Sequence, residues 1–225
     1  MAFLRARNKE QKQERVKEIV AAAAELYSEV GYDKVTFSKI AARLNYTRIT
    51  LYNYFACKED IFLLLMEQDL EKMAVDAAAV FTDRCADTDT FLNQWVQLML
   101  RHQRLLSLMS IVNTIILKGA SDGTHEHYRR RLNEVFLRLG DCVITALPGM
   151  KKAEVIDFLD IENSYCMAMY AASLEYKKAH AIKVFPHAGY GTVGFEKQLK
   201  KMLVKILPGF LEEKEKLPEA VLKAV

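Results

Sequence analysis

Residues 36–58, TFSKIAARLNYTRITLYNYFACK, decide how this chain is read. Ile40, Ala41, Leu44, Leu51 and Phe55 recur at helical rather than alternating spacing, so the stretch forms two helices that share one small core. Asn45 lies between them, and asparagine tolerates the left-handed backbone that a tight helix-to-helix turn often requires. Thr36 and Thr47 precede the two runs, where a hydroxyl accepts hydrogen bonds from the first free amides of a helix. Helices are therefore expected over about residues 37–44 and 48–55.

Docking that apolar face leaves Arg48, Ile49, Thr50, Tyr52, Asn53 and Tyr54 off the core side. Their chemistry suits a DNA groove. An arginine forks onto a guanine edge or holds a phosphate. Ile49 and the Thr50 methyl match a thymine methyl, and Asn53 can pair with adenine. Tyrosine hydroxyls and the Lys58 ammonium suit phosphates, and Lys58 starts the next helix, where anions are also favoured. A plain three-helix subdomain would explain the helices. It leaves the paired tyrosines, the turn asparagine and the hydroxyl caps without a common reason.

Charge points the same way. The whole chain carries only +3, so any nucleic-acid surface must be local. In residues 1–58 eleven Lys and Arg face six Asp and Glu, which leaves the remainder slightly acidic. Phosphate binding draws on such a surplus. Cys57, Cys85, Cys142 and Cys166 are scattered, with no CxxC or Cys/His cluster, so neither a disulfide framework nor a metal site is expected. The basic N-terminus runs into charged helix without an apolar signal core, and no run approaches the roughly 20 residues of a membrane span. A reduced, cytoplasmic setting is the expectation.

Four prolines and nine glycines cluster at breaks, and the apolar period between them is helical, so the class is all-α. Nine helices are expected, over about residues 9–30, 37–44, 48–55, 58–83, 88–105, up to 118, 125–147, 151–180 and 195–207. Gly119 to Thr124 reads as a turn, Pro208-Gly209 as the end or kink of the last helix, and residues 184–194 as a loop with Pro186, Gly189, Gly191 and Gly194. The tail beyond Glu212 is expected to fray.

The segment from about residue 9 to 70 is similar to the DNA-binding domain of the tetracycline-repressor (TetR) family. The likeness is densest from Gly31-Tyr32 through Thr50-Leu51-Tyr52-x-Tyr54-Phe55-x-x-Lys58-Glu59 to Asp60-Ile61. It implies a helix-turn-helix domain over residues 1–57, with recognition segment 36–55, and a helical effector-binding and dimerisation domain over 58–225. It also implies a homodimeric repressor on a palindromic double-stranded operator, released by a small molecule. The half-sites would then lie roughly 34–36 Å or more apart. Carried over residue by residue, the DNA-binding set is Thr36, Ser38, Thr47, Arg48, Ile49, Thr50, Tyr52, Asn53, Tyr54 and Lys58. Three positions depart from the pattern. Asn45 replaces a common glycine, Ile49 stands where glycine is frequent, and Cys57 replaces a serine that would form a capping box with Asp60. Loss of that cap costs about 1 kcal/mol, and a thiol there is a candidate redox sensor.

Beyond about residue 85 no catalytic or cofactor motif occurs, so neither enzyme activity nor a cofactor is expected. His125 and His127 are two apart, poor geometry for a shared metal, and His102, His180 and His187 are isolated. Asp157, Asp160 and Glu162 are read as favouring a helix dipole. The resemblance places an effector pocket here, with Trp95, Met99, His102, Met109, Asn113, Tyr128, Phe136, Tyr165 and Met169 as candidates. Ala172, Leu174, Leu199, Met202, Leu203 and Ile206 are candidates for the dimer face, though either set also suits plain core. The rival readings are a DNA-binding protein of this fold without an effector, and an all-α enzyme.

Overall fold

The computed structural model describes the backbone of residues 2–178 and 194–211, and the side-chain surroundings of 10–173 and 194–211. Within these residues no strand occurs. Nine α-helices of five residues or more follow one another: α1 (Ala2–Val30), α2 (Phe37–Arg43), α3 (Arg48–Tyr52), α4 (Lys58–Val80), α5 (Thr88–Arg101), α6 (Gln103–Ile111), α7 (Asp122–Ala146), α8 (Lys152–Lys178) and α9 (Phe195–Leu211). A π-helical turn, Val112–Ile116, and one α-turn, Leu117–Gly119, prolong α6. The expected loop at Gly189 and Gly191, the isolated His180 and His187, the side chain of Leu174 and the tail beyond Glu212 lie outside the described residues. No helix among the described residues is long and apolar enough to cross a membrane.

The chain packs as two units, one of Met1–Glu71 with Ile111–Asn133, the other of Lys72–Ser110 with Glu134–Val225. In the first, α1 turns Ile19, Val20, Ala23, Ala24 and Leu26 inward, the stripe its sequence predicts, with Val16 and Tyr27 half-buried. Gly31 ends the helix at φ 76°, a conformation that glycine reaches without the Cβ clash of other residues. Its amide closes the last turn on the Tyr27 carbonyl at 2.9 Å. Ile40, Ala41, Leu51 and Phe55 are buried with α1, and Phe62 of α4 packs its ring against Tyr27 and Tyr32.

The second unit is built round stacked rings. Phe91 and Trp95 of α5 lie 5.6 Å apart, with Phe81 and Phe158 against them and Phe210 edge-on to Phe158. Each fully buried ring stabilises the fold by about 1.5–3 kcal/mol. Tyr170 of α8 meets Phe195 of α9 edge-to-face at 5.0 Å. Asp87 caps α5 by accepting the Thr90 amide at 2.7 Å.

Several bounds differ from expectation. The first helix begins at Ala2 rather than near residue 9. The third stops at Tyr52, because Asn53 and Tyr54 turn the chain back so that Phe55 can reach the core. The fourth ends at Val80. The fifth breaks at His102, whose backbone (φ −103°, ψ 46°) leaves the helix while its imidazole pairs with Asp76 at 3.1 Å. The turn expected at Gly119–Thr124 shrinks, since α7 starts at Asp122. Pro208 does not end the helix; it lies inside α9, which continues to Leu211. Its missing donor falls opposite exposed Val204, where water can take the carbonyl.

Glu162 also departs from expectation. It sits in the third turn of α8, 3% exposed, too deep to serve the helix dipole. The Cys166 thiol donates to it at 3.0 Å. The Trp95 N–H faces it without closing a hydrogen bond. Burial pushes this carboxyl up to about 7, against the lowering effect of those two neighbours. The folded state thus keeps a proton that an unfolded glutamate sheds above about pH 4.5, so stability falls as pH rises from there to about 7. Glu162→Gln should leave stability near pH 5 almost unchanged and raise it at pH 8, on the order of 2 kcal/mol. Urea titrations at the two pH values check this; equal effects at both would remove Glu162 as the source.

Candidate nucleic-acid interface

The helix-turn-helix is assembled from local caps and distant locks. Thr36 accepts from the Lys39 amide at 3.3 Å and Thr47 from the Thr50 amide at 3.1 Å, so both expected caps form. Asn45 takes φ 56°, the left-handed turn expected of it. The Tyr46 amide then closes on the Ala41 carbonyl at 2.9 Å. Tyr46 is a lock that its sequence position did not reveal. Its hydroxyl donates to Glu18 and accepts from Arg15, whose guanidinium lies over the Tyr46 ring. Arg43 reaches from α2 to Glu29 at 2.6 Å through both nitrogens, and to Glu25 at 3.3 Å. These pairs hold Glu18 and Glu29 below the usual carboxylate range, chiefly through Tyr46 and Arg43 respectively. They also occupy two of the cations that made the N-terminal segment look basic.

On the outer side of α3, Ile49 is 76% and Tyr52 49% exposed, and Arg48, Thr47 and Asn53 are also exposed. The Tyr52 ring packs on Phe37 at 4.8 Å. Arg48 donates to the Tyr52 hydroxyl at 2.8 Å and lies over that ring. Thr50 turns its hydroxyl to Thr47 at 2.9 Å. Thr36 and Ser38 stand exposed at the start of α2, and Tyr54 is half-buried. Lys58 is held differently: its ammonium donates to the Tyr32 carbonyl at 3.3 Å and sits 4.1 Å from that ring's centroid.

The start of α4 is tied down within the same unit. Tyr32 donates to Glu59 at 2.8 Å, and burial with this bond pushes the phenol well above its usual range. Asp60, 4% exposed, accepts both the amide and the hydroxyl of Ser121 at 2.9 Å. Glu67 accepts from Arg131 at 3.1 Å and meets His127 at 2.9 Å. A cleft of about 260 Å³ opens beside Tyr54, Phe55, Leu63, His127 and Tyr128. Cys57 does not merely fail as a cap. Its thiol donates to the Gly119 carbonyl at 3.2 Å. Burial, reinforced by the Asp60 and Glu59 carboxylates, raises it against the lowering pull of the Asp60 amide, which disfavours a reactive thiolate.

The effector candidates divide between the units: Trp95, Met99, His102, Met109, Phe136, Tyr165 and Met169 belong to one, Asn113 and Tyr128 to the other. Trp95, Met99, Met109 and Tyr128 are buried, while Asn113 is exposed on the π turn. Among the dimer candidates, Leu199 and Leu203 are fully buried in the chain's own core, and Ala172, Met202 and Ile206 are half-buried. Thr47→Ala should lower stability by about 1 kcal/mol. Chemical denaturation reads this directly, and an unchanged midpoint would show that the cap contributes nothing.

Comparison with known proteins agrees with this geometry. The sequence model for bacterial regulatory proteins of the tetR family matches residues 19–65. The model for the tetracyclin repressor-like C-terminal domain matches residues 67–214. The Fatty acid metabolism regulator protein of Bacillus subtilis is 27% identical over 161 residues, 67% of this chain and 76% of that protein. The HTH-type transcriptional repressor Rv1474c of Mycobacterium tuberculosis is 29% identical over 97 residues, 41% of this chain and 51% of that one. A transcriptional regulator of the TetR/AcrR family from Thermobifida fusca shares the fold, with TM-score 0.50 and 14% identity over 90% of this chain and all of its own.

Proposed function

This chain belongs to the tetR family of bacterial regulatory proteins and is a DNA-binding transcriptional regulator, and on that premise we propose that it acts as a cytoplasmic, ligand-released homodimeric repressor on a palindromic operator. Residues 1–57 bind DNA, and residues 58–225 carry the effector pocket and the dimer face. The observation that carries this reading is the outer face of α3, where Arg48, Ile49 and Tyr52 stand exposed on a helix that buries only Leu51. Thr36, Ser38, Thr47, Thr50, Asn53, Tyr54 and Lys58 complete the DNA-contacting set. Arg48 and Asn53 read bases, while the tyrosines and Lys58 hold phosphates. Lys58 must leave the Tyr32 carbonyl to do so, and Arg48 must leave Tyr52.

The mechanism is a population shift. Effector bound among Trp95, Met99, His102 and their neighbours favours a state in which α4 holds the two recognition helices at the wrong separation for the operator. The effector must then bind the low-affinity state better, and operator must weaken effector by the same factor. One relative's name concerns fatty acid metabolism, so acyl compounds are the first effectors to try, and an apolar, methionine-containing pocket suits them.

Binding to DNA from upstream of the chain's own gene, at near-physiological salt with competitor DNA, is the first test. Arg48→Ala should lose about 1–3 kcal/mol and relax preference at one base pair; uniform weakening on all sequences would make Arg48 a phosphate contact instead. Once an effector is found, equal affinity for it with and without operator would refute the release mechanism.

A further inference from the structure

Ile49 is the most exposed large apolar side chain among the described residues, at 76%. A single exposed isoleucine is ordinary on a surface; its neighbours make this one informative. The guanidinium of Arg48 is engaged with the Tyr52 hydroxyl at 2.8 Å, and Tyr52 is braced on Phe37. The Thr50 hydroxyl is turned to Thr47 at 2.9 Å, so it is engaged in the cap. The first turn of α3 therefore presents a branched apolar side chain to solvent, beside an arginine that must leave Tyr52 before it can reach DNA. In a helix-turn-helix this is the part of the recognition helix that meets base edges. The major groove offers one apolar group on those edges, the C5 methyl of thymine; cytosine has no such methyl and presents an amino donor. Hydration lost by Ile49 against any other base edge would expose polar groups to an apolar partner.

We propose that Ile49 determines operator specificity by apolar contact with a thymine methyl in each half-site. The proposal rests on the DNA-binding reading above and adds the base feature that this chain selects. The test starts by selecting duplexes from a random library with the full-length protein. Each thymidine of the selected site is then replaced by deoxyuridine, which removes the methyl and keeps the pairing, and affinities are measured for wild type, Ile49→Ala and Thr50→Ser.

One or two positions per half-site should weaken wild-type binding about fourfold, which is about 0.8 kcal/mol, the worth of one buried carbon. Ile49→Ala should weaken the parent site and become indifferent to deoxyuridine at those positions, with an unchanged melting curve because Ile49 has no packing role. Penalties that persist in Ile49→Ala, or that vanish only in Thr50→Ser, overturn the assignment, as does a scan in which no methyl matters. If the selection enriches no sequence, specific DNA binding itself fails and the proposal falls with it. Enrichment without an Ile49-dependent methyl effect removes the proposal alone.

Discussion

A five-residue helix closes too few hydrogen bonds to hold its own shape, and isolated helices below about 12–15 residues are marginal even with favourable sequences. α3 exists because its surroundings impose it. Leu51 anchors it with no exposed surface, and the Leu51 carbonyl then accepts the amides of Tyr54 at 2.9 Å and Phe55 at 3.0 Å, which folds the exit segment back toward the core. Thr47 fixes the entrance. Every outward side chain from Arg48 to Asn53 inherits its direction from these few contacts. The same constraint frees the outer face: with burial concentrated in Leu51 and Phe55, the remaining positions vary without loss of the helix. That separation lets a branched apolar residue, Ile49, stand exposed on the helix without weakening its anchorage.

What was legible in the sequence was local. A threonine before an apolar run and an asparagine between two helices each act within three or four residues, and each does what its position predicts. Partners chosen across long separations were not legible. Tyr46 reads as a turn residue, yet it meets Glu18, 28 positions earlier. Arg43 counts as a basic residue in any tally, yet it is spent on Glu29. Glu162 reads as one of several acids near the start of its helix that favour the dipole, and only the packing of Trp95 and Cys166 shows it to be a core group. Pro208 misleads in the opposite direction, because a proline removes only one backbone donor and the helix here continues to Leu211.

The start of α4 shows how a missing motif is replaced rather than simply lost. A serine at position 57 with Asp60 would close a capping box inside one helix. With Cys57 there instead, the Asp60 carboxylate turns to Ser121 and the thiol turns to Gly119, so both groups bridge to the chain after α6. A Cβ at Gly119 would lie 2.8 Å from Glu59 Cγ, so the Glu59 side chain would have to shift to admit one. A local cap has been exchanged for a tertiary one, and the N-terminus of α4 depends on residues about 60 positions away.

The same contacts tie residues 111–133 to the start of α4. The chain passes between its two packing units after Glu71, Ser110 and Asn133. The first passage lies within α4, the third within α7, and the second adjoins the π turn Val112–Ile116. π turns recur at functional sites because the extra residue in the turn can be taken up or released by neighbouring helix. Ser121 follows that turn closely in the chain, and it cannot move alone. Its two donors satisfy a buried carboxylate, and leaving that charge unpaired costs several kcal/mol. Asp60 must follow, and with it the first turn of α4, three residues beyond the segment that positions α3. Residues 111–133 thus belong mechanically with the DNA-reading helices, although the sequence places them deep in the C-terminal part.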